Sequence, residues 1–447
     1  MAANPSWCKL IPFATVSAHA ERAVKVGRFL FAMWEGGGTA PPELAVAKRL
    51  VARGHDVSVL GDPSLAEDVK STGAAFMPWR AAPHRTTRTA ESEIIRDWAA
   101  LTPLGAFARA RDRHAFRPAH LFAREVREAF ETHPVDVVVA DAMLFGALVG
   151  AEATRAAVVA LLPMTSFLPA AGRPPSGMGL TPASRALGRL RDRALYTLGD
   201  AILWRPCLPW LNLARERVGL GPLKHPLDQL RRADRVLVQT SPWFDFDALP
   251  VHGNVCYVGP ELEDPPWAAD PWTSPWDDAL PMVLVAFSTT FMGQTALLEK
   301  IIRAVTPLDV RVLVTVGPAI DPRALCAHPN VMVCASAPHS AVLPRASLVV
   351  THGGHGTVIR ALAHGVPLLC LPMGRDQSDN AARAVAIGAA TSLSHRSNVG
   401  QIRQAIARSL ADPKLRSAAR HARAKLASER VGDPAIAELE SLVTPHA

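Results

Sequence analysis

The sequence has no long apolar segment and few cysteines. None of its 447 residues belongs to an uncharged apolar stretch of about 18, so we predict no membrane-spanning helix. The six cysteines are never in C-x-x-C spacing: Cys8, Cys207, Cys256, Cys326, Cys334 and Cys370. This pattern argues against a disulfide framework or a zinc site and favours reduced thiols in a cytoplasmic protein.

A basic block is also missing. The net charge of +8 comes from 48 Lys+Arg against 40 Asp+Glu, and the arginines are spread along the whole chain without interleaved aromatic residues. We therefore expect no nucleic-acid partner. The positive net charge still favours an anionic ligand or contact with a membrane surface, and composition alone does not distinguish these two possibilities. No D-x-D pair follows a predicted strand, so no metal ion is expected.

The length predicts two domains, each able to bury its own core. We place a linker at 261–280, where four prolines and three tryptophans follow no period. The N-terminal domain then spans 27–260 and the C-terminal domain 281–447, in a monomer or a homodimer. Residues 1–26 fit neither domain and are predicted to be a disordered extension. A signal peptide is the alternative, although Pro12 breaks its apolar run.

Short buried strands alternate with helices in both domains. In the N-terminal domain we predict strands at 28–33, 57–60, 137–140, 158–162, 236–240 and 255–258, with a helix over 41–53. In the C-terminal domain we predict them at 281–287, 312–316, 331–334, 347–351 and 366–371. Strand, glycine turn, helix and strand form a βαβ unit, which predicts an α/β fold with parallel sheets.

Residues 347–391 hold the most informative pattern. A buried strand ends at Thr351, three of the next six residues are glycines, and a helix follows for which Thr357 is the expected cap. Bare amides at such a helix start bind anions, most often phosphate. A second hydroxyl-rich turn, Ser288-Thr289-Thr290, follows the strand at 281–287. In a parallel sheet both turns lie at the carboxyl edge, where ligands bind.

The segment resembles the donor-binding signature of nucleotide-sugar-dependent glycosyltransferases of the two-domain (GT-B) group, which includes antibiotic, macrolide and plant secondary-metabolite enzymes. The ordered pattern T-H-x-G-x-(G/N)-(S/T), G-V-P, P and D-Q is matched by Thr351, His352, Gly354, Gly356, Thr357, Gly365, Val366, Pro367, Pro372, Asp376 and Gln377. The resemblance implies two Rossmann-like domains facing a cleft. It also implies an N-terminal acceptor domain, a C-terminal donor domain and a last helix that packs back on the N-terminal domain.

The resemblance implies roles for individual residues as well. The residues that match ligands of the donor diphosphate are His352, Gly354, Gly356 and Thr357, and the second turn adds Ser288 and Thr289. Ala337 and His339 fall where the family holds the nucleobase, and Asp376 and Gln377 where it hydrogen-bonds the sugar. Helix capping is the structural alternative for Ser288, Thr289 and Asp376.

Three positions depart from the family's pattern. Ser336 replaces the aromatic residue on which plant members stack the base. Arg360 replaces a ribose-binding glutamate, which favours dTDP-sugars. Thr39 stands where many relatives carry the catalytic histidine, and a threonine cannot be that base. Asp141, which matches the carboxylate that orients the histidine, is then our first candidate for the base, and Glu35 is the second. Capping of the next helix is the structural alternative for Asp141.

With this resemblance, the sequence predicts an inverting, metal-independent glycosyltransferase. It would move a sugar from a dTDP- or UDP-linked donor to a small hydrophobic acceptor, such as a polyketide, macrolide or phenolic natural product. No cofactor is expected beyond the nucleotide-sugar co-substrate. Two alternatives stay open. One is a lipid acceptor at the membrane surface, with peripheral membrane contact, which the positive charge favours. The other is an inactive nucleotide-sugar-binding partner of another transferase, suggested by the missing histidine.

Overall fold

The computed structural model describes residues 26–170, 172–247, 252–268, 271–326, 328–429 and 432–443. The predicted extension at 1–26 lies outside these residues except for Val26, and so does Cys8. The other five cysteines are free thiols: Cys207, Cys256, Cys326, Cys334 and Cys370. In the part of the chain that is described, no helix is long and apolar enough to cross a membrane.

The N-terminal domain is built on a seven-stranded parallel sheet with the order β3-β2-β1-β4-β5-β6-β7. The strands are β1 Arg28–Ala32, β2 Asp56–Gly61, β3 Ala75–Pro78, β4 Val137–Asp141, β5 Ala157–Leu162, β6 Arg235–Val238 and β7 Val255–Tyr257. Valine and leucine fill the central strands, which are buried on both faces as parallel strands require. The strand order reverses between β1 and β4, where Ala32 pairs with Ala140. Such a reversal opens a crevice at the carboxyl ends of the strands.

The C-terminal domain repeats this design with six parallel strands in the order β10-β9-β8-β11-β12-β13. They are β8 Met282–Ala286, β9 Arg311–Thr315, β10 Val331–Cys334, β11 Ala346–Thr351, β12 Leu368–Cys370 and β13 Ala390–Ser392. The reversal lies between β8 and β11, where Ala286 pairs with Thr351. Two parallel α/β sheets confirm the predicted fold class. The edge strands β3 and β13 were not predicted, because each is short and has no continuous β-branched run.

Helices cover both faces of each sheet. In the first half of the chain they are α1 Ala40–Ala52, α2 Ala66–Thr72, α3 Pro103–Ala110, α4 Ala119–Thr132, α5 Phe145–Glu152, α6 Ala186–Gly199, α7 Leu208–Arg217 and α8 Asp228–Arg231. In the second half they are α9 Thr295–Val305, α10 His339–Val342, α11 His355–His364, α12 Gln377–Ala386, α13 Val399–Ala411, α14 Pro413–Glu429 and α15 Pro434–Ser441. Helices α3 and α6 continue as single π-helical turns, at Arg111–Ala115 and Asp200–Trp204.

The residues between the sheets pack mainly on the C-terminal domain. Trp272 and Trp276 lie against its apolar core. Asp264 accepts hydrogen bonds from the backbone N–H of His339 at 2.9 Å and of Ser340 at 3.1 Å. Trp267 instead faces the N-terminal domain, with the guanidinium of Arg88 4.4 Å from its ring centroid. The proline-rich segment is therefore attached to both domains.

Helix α15 lies on the N-terminal domain. Its residues Ala435, Ile436 and Leu439 are buried in the same core as Phe29 and Phe31 of β1. At its polar side, Glu440 accepts a hydrogen bond from Arg53 Nε at 2.6 Å and lies 3.0 Å from His55 Nε2. The described chain therefore begins and ends on the same domain.

Buried charges join the two domains at α12. Asp245 accepts hydrogen bonds from Arg173 Nη2 at 2.8 Å and from Arg383 Nη2 at 2.7 Å, and all three side chains are buried. Asp379 accepts two more, from the backbone N–H of Gly177 at 2.5 Å and of Gly179 at 2.7 Å. Helix α12 of the C-terminal domain is thus bonded to loops of the N-terminal domain at two separate points.

Candidate active site

The loops that follow β1 and β8 meet across a cleft between the two sheets. Gly37, after β1, has a φ of +77°, and a Cβ there would lie 2.7 Å from Thr290 Cγ2 and 2.8 Å from Thr289 Oγ1. Only glycine fits at position 37, because the backbone has a positive φ and there is no room for a Cβ atom. The carboxyl ends of the two sheets therefore face each other, and both strand-order reversals open into the same cleft.

On the C-terminal side, helix α11 begins without a capping side chain. Its cap position is Gly354, with an extended backbone of φ −61° and ψ 136°, and the first helical bond runs from Val358 N to Gly354 O at 3.0 Å. The prediction that Thr357 caps the helix was wrong, because the extended Gly354 starts the helix three residues earlier. The first-turn amides of α11, from residue 355 to Thr357, give the cleft a positive helix end.

His352 stands over this helix start. Its Nε2 lies 2.6 Å from the point where a Cβ of residue 354 would be, so only glycine leaves the imidazole this position. Burial, and secondarily the charge of Arg375, lowers the pKa of His352 to about 4, so the ring is neutral at pH 7. The pairing of Ala286 with Thr351 brings the turn after β8 next to the turn after β11, and the Phe287 ring lies 5.7 Å from the His352 ring between centroids. Ser288 Oγ is 3.0 Å from Thr290 Oγ1 and accepts a hydrogen bond from Thr290 N.

On the N-terminal side, Asp141 ends β4 and faces the loop after β1. Its Oδ2 accepts a hydrogen bond from Trp34 Nε1 at 2.9 Å and its Oδ1 one from Met143 N at 2.7 Å. The bond to Met143 closes a turn, and α5 begins later with Leu144 at its cap position, so Asp141 does not cap that helix. Burial raises the pKa of Asp141 to about 6, which suits a group that accepts a proton near neutral pH.

An aromatic cluster adjoins this carboxylate. Phe145 follows Asp141 at the start of α5, and Trp204 lies 6.2 Å from it between ring centroids. Phe167 stacks on the half-buried Trp204 at 5.8 Å, and Phe107 meets it edge to face at 6.3 Å. Phe107, Phe167 and Trp204 are partly exposed, whereas Phe145 is buried beneath them. The exposed rings form an apolar wall suited to an apolar ligand.

Comparison with known proteins identifies the family. Residues 299–443 match the family model for the C-terminal domain of erythromycin biosynthesis protein CIII-like proteins. The chain is 32% identical over 422 residues to 4'-demethylrebeccamycin synthase of Lentzea aerocolonigenes, covering 93% of this chain and 99% of that protein. The chain belongs to the antibiotic-type glycosyltransferase family. It is also 26% identical to aklavinone 7-beta-L-rhodosaminyltransferase of Streptomyces galilaeus, over 90% of this chain and 92% of that protein.

Solved structures agree with this family's fold. The glycosyltransferase of kitacinnamycin superposes with a TM-score of 0.71 at 22% identity, over 94% of this chain and all of that one. Glycosyltransferase VinC in complex with dTDP superposes with a TM-score of 0.62 at 18% identity, over 93% of this chain and 99% of that one. The predicted GT-B fold is confirmed, and the protein is a nucleotide-sugar glycosyltransferase.

The D-Q pair of this glycosyltransferase has two different environments. Asp376 occupies the cap position of α12 without making a capping bond, and its Oδ2 accepts a hydrogen bond from Asn380 Nδ2 at 2.8 Å. Gln377 is buried, and its Oε1 accepts hydrogen bonds from Met373 N at 2.8 Å and Gly374 N at 3.1 Å. The Asp376 carboxylate can therefore still accept hydrogen bonds from a ligand, whereas the Gln377 amide oxygen accepts hydrogen bonds from the backbone of its own loop.

The residues predicted to hold the nucleobase lie under the linker. Ala337 is buried, and the backbone of His339 is held by Asp264, as described above. Ser336 Oγ donates a hydrogen bond to the carbonyl of Trp267 at 3.0 Å, so an aromatic residue of the linker lies next to the position that lacks one. Arg360 donates to the carbonyl of Glu263 at 2.5 Å. In this glycosyltransferase the linker thus borders the predicted base and ribose positions.

Glu35 is engaged in a buried ion pair. Its Oε2 accepts a hydrogen bond from Arg88 Nε at 2.6 Å and its Oε1 one from Gly37 N at 3.0 Å. Burial raises the pKa of Glu35, while Arg88 opposes this shift. The Glu35 carboxylate therefore stabilises the loop after β1. Of the two predicted bases, only Asp141 has no ion-pair partner among the described residues.

Three residues of the glycosyltransferase site were not predicted. Glu43 of α1 lies against Asp141 and is buried. His114, in the π-helical turn after α3, packs on Trp34 at 4.2 Å between ring centroids. Arg375, in front of the D-Q pair, donates to Thr290 Oγ1 at 3.0 Å and to Asp97 at 2.6 Å. Of the three, only Arg375 could have been noticed in the sequence, because it lies within the donor-binding signature. Among the described residues, no three His, Cys, Asp or Glu side chains are grouped to hold a metal ion.

Proposed function

We propose that this glycosyltransferase moves a sugar from a dTDP- or UDP-linked donor to a small hydrophobic acceptor, with inversion at the anomeric carbon and without a metal ion or other cofactor. The observation that carries the proposal is the uncapped start of α11 with His352 over it, facing Asp141 and an aromatic wall across the cleft. Polyketide, macrolide and phenolic compounds are the acceptor classes that fit such a wall.

The donor's diphosphate would lie at the start of α11. Charge builds up on the leaving phosphate as the bond to the sugar breaks, and backbone amides at a helix start stabilise it without reorganising. His352 adds a hydrogen bond from above, and Ser288 and Thr289 reach the same phosphate from the second turn. Gly354 and Gly356 allow the close approach. Asp376 and Gln377 would bind the sugar, and Ala337 and His339 the base.

On the acceptor side, Asp141 would take the proton of the attacking group. A single displacement requires the acceptor to approach the anomeric carbon opposite to the leaving diphosphate, and inversion follows from this geometry. The N-terminal crevice supplies the acceptor from the side opposite to α11. A carboxylate with a pKa near 6 is mostly ionised at pH 7 and can act as the base.

Thymidine diphosphate is the nucleotide we favour. VinC, which shares the fold, was solved with dTDP. In this chain Arg360 replaces the glutamate that bridges two ribose hydroxyls in the family, and a deoxyribose has only one of them. The replacement should therefore weaken the binding of a dTDP-sugar less than the binding of a UDP-sugar.

The test is calorimetric titration with dTDP and with UDP. We expect the wild type to bind at least one of them, and His352→Ala to bind it about 10- to 100-fold more weakly, because a hydrogen bond to a charged phosphate is lost. The matched control is His364→Ala at the other end of α11, where the ring hydrogen-bonds to the Arg360 carbonyl. Absence of binding to the wild type, or full affinity in His352→Ala, would contradict the proposed donor site.

Helix α6 favours a second candidate, transfer to an acceptor held in an anionic membrane. Leu187, Leu190 and Leu198 of α6 and Ile202 of the following π-helical turn are exposed, Leu187 and Leu190 by 82% and 62%, and their spacings place them in an apolar stripe on one face of the helix. Arg189 and Arg193 lie on the opposite side of the same helix and give it a basic polar face. An amphipathic helix of this composition binds at the surface of anionic lipid. The occupant we infer for the stripe is therefore a membrane surface.

Sedimentation with vesicles tests this candidate. We expect the wild type to sediment with phosphatidylglycerol vesicles and to remain in solution with phosphatidylcholine vesicles. Leu187→Ser combined with Leu190→Ser should abolish sedimentation, whereas Met332→Ser, at an exposed apolar residue of the C-terminal domain, should not. A wild type that ignores anionic vesicles, or a double variant that still sediments, would exclude the membrane acceptor.

A further inference from the structure

Glu43 is a buried carboxyl group to which no described residue donates a hydrogen bond. It lies in the first turn of α1 and is 1% exposed. Both of its oxygens are shielded from solvent and accept no hydrogen bond. A buried carboxylate in this state would be strongly destabilised, because burial removes its hydration and nothing replaces it. The ionisation state of Glu43 therefore depends on the titratable group next to it.

That neighbour is Asp141. The two carboxyl groups are within hydrogen-bonding reach, and burial followed by the charge of Asp141 raises the pKa of Glu43 well above its usual value. Two adjacent carboxylates in an apolar environment cannot both be ionised, so the pair holds a proton at neutral pH. Asp141 already accepts two N–H bonds and Glu43 accepts none. The negative charge therefore belongs on Asp141 and the proton on Glu43.

The surroundings preserve this arrangement. The groups that face the pair from β1 and from the turn after α3 are the Trp34 indole and the ring of His114 packed on it. Burial lowers the pKa of His114 to about 3, so this ring is neutral. In the described residues, no lysine or arginine forms an ion pair with either carboxyl. No nearby cation can therefore draw the proton off Glu43.

We propose that Glu43 is a positioning residue for the general base: it stays protonated and donates a hydrogen bond to the carboxylate of Asp141, which takes the proton of the acceptor. This rests on the proposed function. Glu43 lies one helical turn after Thr39, on the same face of α1. The chain thus lacks the family's histidine at position 39 and has a carboxylic acid one turn further along that supports the same aspartate.

The proton balance is simple. The acceptor's O–H or N–H bond breaks and its proton goes to Asp141, while the acceptor atom forms a bond to the anomeric carbon. The bond from that carbon to the diphosphate breaks, and its electron pair leaves on the phosphate oxygen at the start of α11. After the step the carboxyl pair holds two protons and is neutral, and one proton passes to water before the next turnover.

Two variants separate positioning from filling space. Glu43→Leu keeps the bulk of the side chain but removes the hydrogen-bond donor, and we expect kcat to fall about 30-fold. The acidic limb of the kcat/KM profile should also move up by about one pH unit, because the ionised form of Asp141 loses a hydrogen bond. Glu43→Gln keeps an N–H donor and should restore most of this loss. Unchanged affinity for dTDP in both variants shows that they are folded.

Two kinetic results would overturn the proposal. If Glu43→Leu keeps the wild-type kcat and pH profile, Glu43 does not support the base. If Glu43→Gln loses as much activity as Asp141→Asn, Glu43 itself takes the proton.

Infrared spectroscopy tests the proposal without any activity. At pH 7 the difference spectrum, wild type minus Glu43→Gln, should show the C=O stretch band of a buried protonated carboxyl group, because other buried carboxyl groups such as Asp62 contribute equally to both proteins. If this band is present but no acceptor is glycosylated, the proposed function fails while the inferred proton on Glu43 stands. If sugar is transferred but the band is absent, the function stands and the inference about Glu43 is wrong.

Discussion

Replacing Asp141 by asparagine is expected to lower kcat for sugar transfer by about 10²- to 10⁴-fold, the usual contribution of a general base. Asparagine fills the same space and can still accept the hydrogen bond from Trp34, so the loop after β1 should be unchanged. What it cannot do is take a proton. Because the proposed diphosphate site belongs to the other domain, the affinity for dTDP should stay at the wild-type value.

The pH dependence gives the same prediction a second readout. As the pH falls through about 6, the raised pKa of Asp141, the carboxylate is protonated and can no longer act as a base. The kcat/KM of the wild type should therefore fall on the acidic side of this value, and Asp141→Asn should lose that limb.

A matched control is Asp234→Asn. Asp234 belongs to the same sheet but accepts a hydrogen bond from Val158 N at the opposite, amino edge of the strands. It should keep the wild-type kcat. An Asp141→Asn variant within about 3-fold of wild type would show that another group takes the proton.

Replacing Asp245 by alanine is expected to lower the free energy of unfolding by about 3–5 kcal/mol. The aspartate is fully buried between Arg173 and Arg383, which are 4% and 3% exposed. Without it, two guanidinium groups remain in the interior with no carboxylate to offset their lost hydration. Because one arginine comes from each domain, the substitution should loosen the contact between the domains as well as destabilise them.

Urea denaturation measures this loss. Glu131→Ala removes a carboxylate from an exposed ion pair with Arg127, at 3.0 Å on the surface of α4, and should change the free energy of unfolding by less than about 0.5 kcal/mol. If Asp245→Ala is no more destabilising than this control, the buried contact contributes little and the two domains are held together elsewhere.

The donor side of the cleft was predictable because its parts are close together in sequence. Strand, glycine turn and helix follow one another from Thr351 onwards, and this order is visible in the sequence. The start of the helix was misplaced at Thr357 because the sequence offers two candidates for the cap, a threonine and a glycine. Only the backbone conformation shows that Gly354 is the one used.

The acceptor side was only partly predictable, because its contacts join distant residues. Asp141 was visible as a polar residue at the end of a buried strand. Glu43 was not, since a glutamate after a proline in the first turn of a helix has an ordinary explanation in the helix dipole. Its contact with Asp141 depends on how α1 packs against β4, about 100 residues later in the chain, and no local pattern reports that packing.

The interface between the domains was likewise invisible in sequence. Asp245, Arg173 and Arg383 lie in three separate segments, and each alone looks like a surface charge. Their burial follows from the way α12 packs against the loops of the N-terminal domain. The polar residues that hold a two-domain protein together therefore have to be read from the structure.

The position of α15 has a consequence for protein engineering. Because this helix is buried against β1, the C-terminal domain is in effect an insertion between two parts of the N-terminal domain, joined to it at the 261–280 segment and again between Glu429 and Asp433. A chimera that exchanges donor specificity with a relative therefore needs two junctions. A single crossover in the linker would give the N-terminal domain a foreign α15, with apolar side chains selected for the core of another protein.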